Sequence, residues 1–323
     1  MSSTPTVLVN TTLALPLFRR GKVRDVYDLD DRLLIVSTDR ISAFDVVLPC
    51  GIPDKGKVLN QLSAFWFEKT AHILPSHVIK VIDSVDILRD VIARAESPKQ
   101  SQWKRDSSLT VGTSLIGRSM LATKAERIPV ECVVRGYLSG SAWAEYKETG
   151  KIGHIHLPLG MKESQELSQP IFTPTTKSDT EHDRLLTNQD IKDLGIENLF
   201  GELEQKSLLI YGYARDYART RGIIIADTKF EFGFINGKLA LIDELLTPDS
   251  SRFWDVSQYK VGYPQPSFDK QFVRDWLSGS GWDKEPPAPM LPPEVIEGTS
   301  KRYREVYSKL TGGLLREKQD KDR

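Results

Sequence analysis

The chain has 323 residues, and its 44 lysines and arginines balance its 44 aspartates and glutamates. That length suffices for roughly two domains with real cores, and the balance leaves no global field to draw nucleic acid or an acidic membrane surface. No apolar run approaches the roughly 20 residues of a membrane span, and the opening MSSTPTVLVN lacks the basic region and long apolar core of a secretory signal. Cys50 and Cys132 are too few for a disulfide scaffold and lack metal-ligand spacing, so each reads as a small buried hydrophobe. A soluble, cytoplasmic, globular protein is expected.

RRGKVRDVYDLDDRLLIVSTD alternates about two turn signals, Gly21 and the Asp30-Asp31 pair, and predicts antiparallel hairpins that FDVVLPCGIPDKGK extends. Val58, Leu62, Phe65 and Trp66 carry helical spacing in a segment that stops before Pro75. Residues 94–112 are polar and aperiodic, an exposed insertion. RIPVECVVRGYL reads as a strand running into the helix SAWAEYKETG, with Ser139 or Ser141 as N-cap and Gly150 as stop. Residues 157–183 show few periodic apolar positions and read as a long loop, a kind usually functional or disordered. A helix is expected over about 202–221, closed by Gly222, followed by a charged hairpin. The Pro-rich connector EPPAPMLPPE then leads to a last helix over about 294–309 and a fraying tail.

The hairpin is IIIADTKFEFGFINGKLALIDE, residues 223–244. Strand alternation puts Asp227, Lys229 and Glu231 on one face and Ala226, Thr228, Phe230 and Phe232 on the other. Such a charged face is either solvated surface or a site. A three-residue loop, Ile235-Asn236-Gly237, pairs Phe234 with Lys238 and brings Asp243 opposite Lys229, onto the face of Glu231. A two-residue Asn-Gly turn would send Asp243 to the other face. The three-residue register is the expectation, because two carboxylates beside a lysine suit Mg²⁺ carrying phosphate oxygens. Without a metal the carboxylates would repel each other or pair with Lys229.

The two commonest phosphate cradles, G-x-x-x-x-G-K-[ST] and a strand-linked G-x-G-x-x-G, are absent. RRGKVRDVY offers a substitute, since Gly21 turns a hairpin whose backbone N–H groups and Lys22 and Arg24 can cover polyphosphate, although basic hairpin tips are also ordinary surface. RGYLSGSAW suggests a second anion site or an ordinary N-cap: Arg135 leaves a strand and a helix begins at Ser141. Arg252 would join it by folding back beside Asp243. His154 and His156 alternate on a short strand without a third ligand, His182 sits on the long loop, and no Ser-His-Asp or Cys-His arrangement stands out.

IPVECVVRGYLSGS and IADTKFEFG, supported by GKVRDVY, DRISAFD, KGKVLNQLSAFWF, DELLTPDSSRFW and TSKRYREVYSKLTG, run in order from about residue 18 to about 312. Together they resemble the phosphoribosylaminoimidazole-succinocarboxamide synthase (SAICAR synthetase) family of purine biosynthesis, in its longer, fungal-type form. The resemblance implies a two-lobed α+β fold: a small antiparallel β-rich ATP lobe over 1–124 and a larger α/β lobe over 125–323 that carries the substrate and metal sites. The C-terminal helix would pack back and the site would lie between the lobes. The implied enzyme is an amide-forming ligase that joins 5-amino-4-imidazolecarboxylate ribonucleotide to L-aspartate while splitting ATP to ADP and phosphate.

Carried onto this chain, Gly21, Lys22 and Arg24 match the ATP-phosphate loop, and Met120 to Lys124 border the adenine. Glu231 and Asp243 match the Mg²⁺ carboxylates, and Lys229 and Lys22 the catalytic lysines. Arg135, Ser141 and Arg252 match the clamp on the 5′-phosphate, Asp249 the contact to the aminoimidazole, and Glu131 one to the ribose. Lys177 and Asp183 are candidates for aspartate, and Asp45 for the lining of the site. The implied partners are small molecules, with no nucleic acid or membrane, and the chain would be a monomer or small homo-oligomer. Two other readings remain. A kinase-like phosphotransferase would consume ATP without aspartate but lacks the HRD…N and DFG sets, and a nucleotide-sensing protein would keep its main activity in Glu231→Ala.

Overall fold

The computed structural model describes residues 7–95, 113–177 and 184–315. Most of the expected insertion, and His182 and Asp183, lie outside the described residues. The fold is α+β. The chain divides into two units, one of Met1–Phe65, His77–Lys124 and Lys270–Arg323, the other of Trp66–Ser76 and Ala125–Asp269.

The first unit opens with β1 (Leu17–Arg20), β2 (Arg24–Leu29) and β3 (Arg32–Ser37), then the hairpin β4 (Arg40–Ala43) and β5 (Val46–Gly51). α1 (Lys55–Thr70) begins in this unit, and β6 (Val78–Ile82), α2 (Val85–Ala95) and β7 (Ser119–Thr123) follow. The strands form an antiparallel sheet in the order β1-β2-β3-β7-β6. Their alternation is the reason for its two apolar faces. Tyr27, Leu29, Leu34, Val36 and Leu121 pack with Leu88, Val91 and Ile92 of α2. Ile35, Met120 and Ala122 gather separately with Val26, Leu33 and Val78.

The second unit holds β8 (Glu126–Arg127), β9 (Val130–Tyr137), α3 (Gly140–Thr149), β10 (Lys151–Ile152), β11 (Ile155–His156), β12 (Glu166–Phe172) and β13 (Thr175–Thr176). It continues through α4 (Asn188–Asp193), α5 (Glu197–Thr220), β14 (Ile223–Ile235), β15 (Lys238–Ile242) and β16 (Ser251–Asp255). β14 is its spine. One edge of β14 pairs with β16 and then β15, the other with β9 and then β8, all antiparallel. α5 buries Leu203, Ser207, Ile210, Tyr211, Ala214 and Ala218 at helical spacing, and Gly222 ends it at φ +74. The segment expected as a long loop instead contains β12 and β13, which pair with β9. Pro170 and an irregular register between Glu166 and Ile171 hide the period of β12.

The chain then returns to the first unit with α6 (Gln271–Gly279) and α7 (Pro293–Thr311). The extent of 125–323 expected for the larger lobe therefore runs too far. Val273, Leu277, Leu291 and Val295 pack on Ile41, Leu48 and Ile52, and Tyr307 Oη lies 3.1 Å from Gln61 Oε1. Among the described residues no helix is long and apolar enough to cross a membrane.

Candidate functional site

The β14–β15 hairpin turns on two residues, Asn236 at φ +50 and Gly237 at φ +72, and pairs Ile235 with Lys238 and Glu231 with Ile242. The expected three-residue loop is thus overturned. Two consecutive left-handed residues are what an Asn-Gly pair adopts readily, and they match the twist of the strands. Ladder parity alone would now carry Asp243 away from Glu231. β15 ends at Ile242, however, and Asp243 leaves the ladder at φ +69. Burial first and the charge of Asp243 second push the Glu231 carboxyl up to about 7, against the opposing effect of Lys177.

β14 also carries a bulge. Ile225 faces Phe253 and Asp227 faces Arg252, so Ala226 is the extra residue against β16. It packs with Tyr137, Ile224 and Trp254, not with Thr228, Phe230 and Phe232 as alternation predicted. Beyond the bulge the pleat holds. Asp227 pairs across with Arg135 and Lys229 with Val133, which brings Glu131, Arg135, Asp227, Lys229 and Glu231 to one face. Thr228, Phe230 and Phe232, on the other, are buried.

Charges on this face meet in pairs. Arg252 Nη1 contacts Asp227 Oδ2, and Arg135 Nη1 lies 3.4 Å from the same oxygen. Arg135 Nε donates to Thr173 Oγ1 at 2.9 Å. Two residues further along β14, Lys229 Nζ donates to Glu131 Oε2 at 2.8 Å. Lys177 Nζ contacts Glu231 Oε1 and lies 3.8 Å from Glu131 Oε1. The carboxylate pairing expected of Lys229 with Glu231 is made by Lys177.

At the Asp227 end two guanidiniums share one carboxylate oxygen. Asp227 is the main reason the Arg252 pKa rises, whereas burial lowers that of Arg135. Arg252 was expected beside Asp243; its partner is Asp227. Its guanidinium packs on Gly140, the first residue of α3, where a Cβ would fall 2.4 Å from Nη2. Ser139 is the N-cap, 5% exposed, with a hydroxyl that has no partner among the described residues. Ser141 is exposed in the first turn. Two arginines, a helix N-terminus and an orphaned hydroxyl are the groups a candidate anion site needs. Sequence reading missed the role of Asp227, although it stands in the same alternating set as Lys229 and Glu231.

The Glu231 end suits a cation. Among the described residues no group of three or more His, Cys, Asp or Glu could hold a metal. Mg²⁺ needs only one or two carboxylates when phosphate oxygens and water complete its shell. Glu231 and Asp243 are the two carboxylates that could meet that need: burial first, and the charge of Asp243 second, make the ionised form of Glu231 costly, and a bound cation would offset both. Asp249 is half-buried in the turn after Thr247, its N–H donating to Thr247 Oγ1 at 3.2 Å. His154 and His156 are exposed around the β10–β11 turn.

In the first unit Gly21 N–H donates to Arg24 O at 2.7 Å and closes the turn between β1 and β2. Lys22 Nζ reaches Asp45 Oδ1 at 2.6 Å, both side chains exposed. Met120 is buried in the apolar patch with Ile35 and Ala122, and Lys124 Nζ donates to Asp28 Oδ1 at 2.6 Å.

A sheet face with arginines at a helix start and carboxylates further along one strand is the arrangement expected of the class of proteins that handle a phosphorylated ligand together with a cation. A sequence model of one family, described as SAICAR synthetase, matches residues 17–289, and the chain belongs to that family. It is 49% identical over 306 residues to the phosphoribosylaminoimidazole-succinocarboxamide synthase of Thermodesulfovibrio yellowstonii, covering 94% of this chain and 99% of that one. Among solved structures it is similar to the SAICAR synthase of Saccharomyces cerevisiae complexed with SAICAR, with a TM-score of 0.82, 41% identity, and 95% and 99% of the two chains covered. A type-2 SAICAR synthetase in complex with ADP is similar at a TM-score of 0.64 and 25% identity, over 92% of this chain and 98% of that one. The fungal-type expectation is not borne out, because a bacterial relative aligns over as much of the chain at higher identity than the yeast enzyme.

Proposed function

We propose that this chain is an ATP-dependent ligase of purine biosynthesis. It joins the carboxylate of 5-amino-4-imidazolecarboxylate ribonucleotide to the amine of L-aspartate and releases ADP and phosphate. The polarity of the β14 face carries the reading. From Asp227 to Glu231 is about 13 Å at ~3.3 Å per residue, which sets the arginine end of the face apart from its carboxylate end. A ligand with a phosphate at one end and a carboxylate to be activated at the other matches that layout. The yeast relative holds SAICAR, the amide such a reaction makes, and another relative holds ADP.

On this reading Arg135, Arg252 and Ser141 hold the 5′-phosphate, Glu131 the ribose and Asp249 the polar edge of the base. Gly21, Lys22 and Arg24 hold the phosphates of ATP, while Met120 and Lys124 border its adenine. Lys177, with Asp183, engages aspartate. Glu231 and Asp243 would hold Mg²⁺, which when bound supplies positive charge to the phosphate oxygens. The substrate carboxylate oxygen takes the γ-phosphoryl group and ADP leaves. The amine of aspartate then attacks the activated carbon, loses a proton, and phosphate departs with the electron pair of the C–O bond. Lys229 offers a fixed positive charge where negative charge develops.

Omitting each substrate in turn from an ADP-release assay tests the reading. ADP and amide should appear only when ribonucleotide, ATP and aspartate are all present. ADP release at full rate without aspartate would favour a phosphotransferase. Glu231→Ala should lose turnover and keep its circular dichroism spectrum; a variant that turns over normally removes the carboxylate from the mechanism.

A further inference from the structure

The turn between β1 and β2 is held from within by Arg40 of β4, a side chain without a role so far and only 7% exposed. Arg40 Nη2 donates to Gly21 O at 2.9 Å, Nε to Lys22 O at 3.2 Å and Nη1 to Val9 O at 2.6 Å. Its charge is met by Asp25, whose Oδ1 lies 2.7 Å from Nη2. Asp25 is fully buried, and its other oxygen accepts from Thr11 N at 3.2 Å and Thr11 Oγ1 at 2.5 Å. The far side of the turn is also pinned, since Val23 O accepts from Thr38 N at 2.9 Å and Thr38 Oγ1 at 2.8 Å.

The C=O and N–H of a trans peptide point in opposite directions. The carbonyls of Gly21 and Lys22 share their planes with the N–H groups of Lys22 and Val23. Drawing both carbonyls onto Arg40 turns both N–H groups away from it. Neither N–H has a partner among the described residues, whereas that of Gly21 is used by Arg24 O. Successive N–H groups presented to one side form an anion-binding concavity.

We propose that Arg40 is a positioning residue: an internal guanidinium, neutralised by Asp25, that fixes the peptide planes of the turn so that the N–H groups of Lys22 and Val23 cradle the polyphosphate of a nucleotide. The inference rests on the assignment of this turn to ATP. Arg40 touches no ligand, because its bonds run to the backbone and to Asp25. The cradle reads phosphates and is indifferent to base and sugar.

The test is calorimetric binding of ATP, ADP and adenosine to the full chain and to two variants. Arg40→Lys keeps a charge against Asp25 but cannot span both carbonyls. Val23→Pro deletes one outward N–H and leaves Arg40 in place. Each should weaken ATP and ADP about tenfold or more, the worth of one well-placed charge-assisted hydrogen bond, and leave adenosine within about twofold. In steady state KM for ATP should rise while KM for the ribonucleotide and for aspartate stays fixed. Equal losses for all three ligands would make Arg40 merely structural and overturn the proposal, as would folded variants that bind ATP normally. A wild-type chain that binds adenosine as tightly as ATP would instead overturn the assignment of the turn to ATP, and the role of Arg40 with it.

Discussion

Gly140 and Gly150 bracket α3, and substituting each by alanine separates backbone strain from damage to the anion site. Both are left-handed, at φ +58 and +72. An L-residue there costs about 1–2 kcal/mol, partly offset by the entropy that alanine removes from the unfolded chain. Nothing lies within 4 Å of a Cβ at Gly150. Gly150→Ala should therefore lose about 1 kcal/mol of stability and nothing else. At Gly140 the same methyl would sit 2.4 Å from Arg252 Nη2 and 2.7 Å from Cζ. The guanidinium must retreat, and its contact with Asp227 restricts where it can go. Losing one charge-assisted hydrogen bond to a phosphate costs about 1.5–3 kcal/mol, or about 10- to 150-fold in affinity. An ADP-release assay with ribonucleotide varied should show KM raised within that range for Gly140→Ala, unchanged for Gly150→Ala, and KM for ATP fixed in both. Equal ribonucleotide KM values in the two variants would refute the placement of Arg252 at the phosphate.

Two further outcomes are expected. Because burial and Asp243 push the Glu231 carboxyl up to about 7, binding of Mn²⁺ at pH 6.5 should release roughly three-quarters of a proton, and almost none by pH 8.5. Calorimetry in buffers of different ionisation heat reads this directly, and buffer-independent heats would remove Glu231 from the metal site. At Asp25, burial alone would raise the carboxyl, but bonds from Arg40 and Thr11 outweigh it and hold it below its ordinary 3.8. A depressed carboxyl stabilises the fold above its unfolded pKa, and that share is lost as pH falls through the folded value. Asp25→Asn should cost about 3 kcal/mol in urea unfolding at pH 7 by leaving Arg40 unpaired. The gap to wild type should close in strong acid, and a gap independent of pH would contradict the pairing.

Periods were legible in the sequence; interruptions of period were not. Lys229 and Glu231 could be assigned to a common face because they stand two positions apart in regular strand. Ala226 could not, since the bulge beside it is an agreement between β14 and β16 about which residue goes unpaired. No local signal announced it. The Asn236-Gly237 turn was visible in the dipeptide itself, and preferring a longer loop in order to align Asp243 let an expected function override turn chemistry. Asp243 leaves the ladder as a left-handed residue at the end of the strand, and its charge still raises the Glu231 carboxyl. α6 and α7 returned to the first unit because Val273, Leu277 and Val295 complete a core begun by Ile41 and Ile52, a pairing across more than half the chain. Asp227 was read as one more charge on a face, because its value depends on two arginines that only the sheet brings together.

That dependence also explains why strands that form a core can carry so many charges. A carboxylate or guanidinium taken from water costs several kcal/mol unless it is paired, and on this face Glu131, Arg135, Asp227, Lys229 and Glu231 each meet an opposite charge. Pairing is incomplete in opposite senses at the two ends. Near Asp227 one carboxylate oxygen serves two guanidiniums, and burial pulls the Arg135 pKa down. Near Glu231, burial and Asp243 lift a carboxyl despite the contact with Lys177. A sheet optimised for stability alone would have replaced these residues by apolar ones of similar volume, often with a gain. Leaving one end short of negative charge and the other short of positive charge reserves part of the stabilisation for a ligand. A phosphate at the first and a cation at the second complete what the side chains leave undone, and binding to the folded chain alone then raises its stability by mass action.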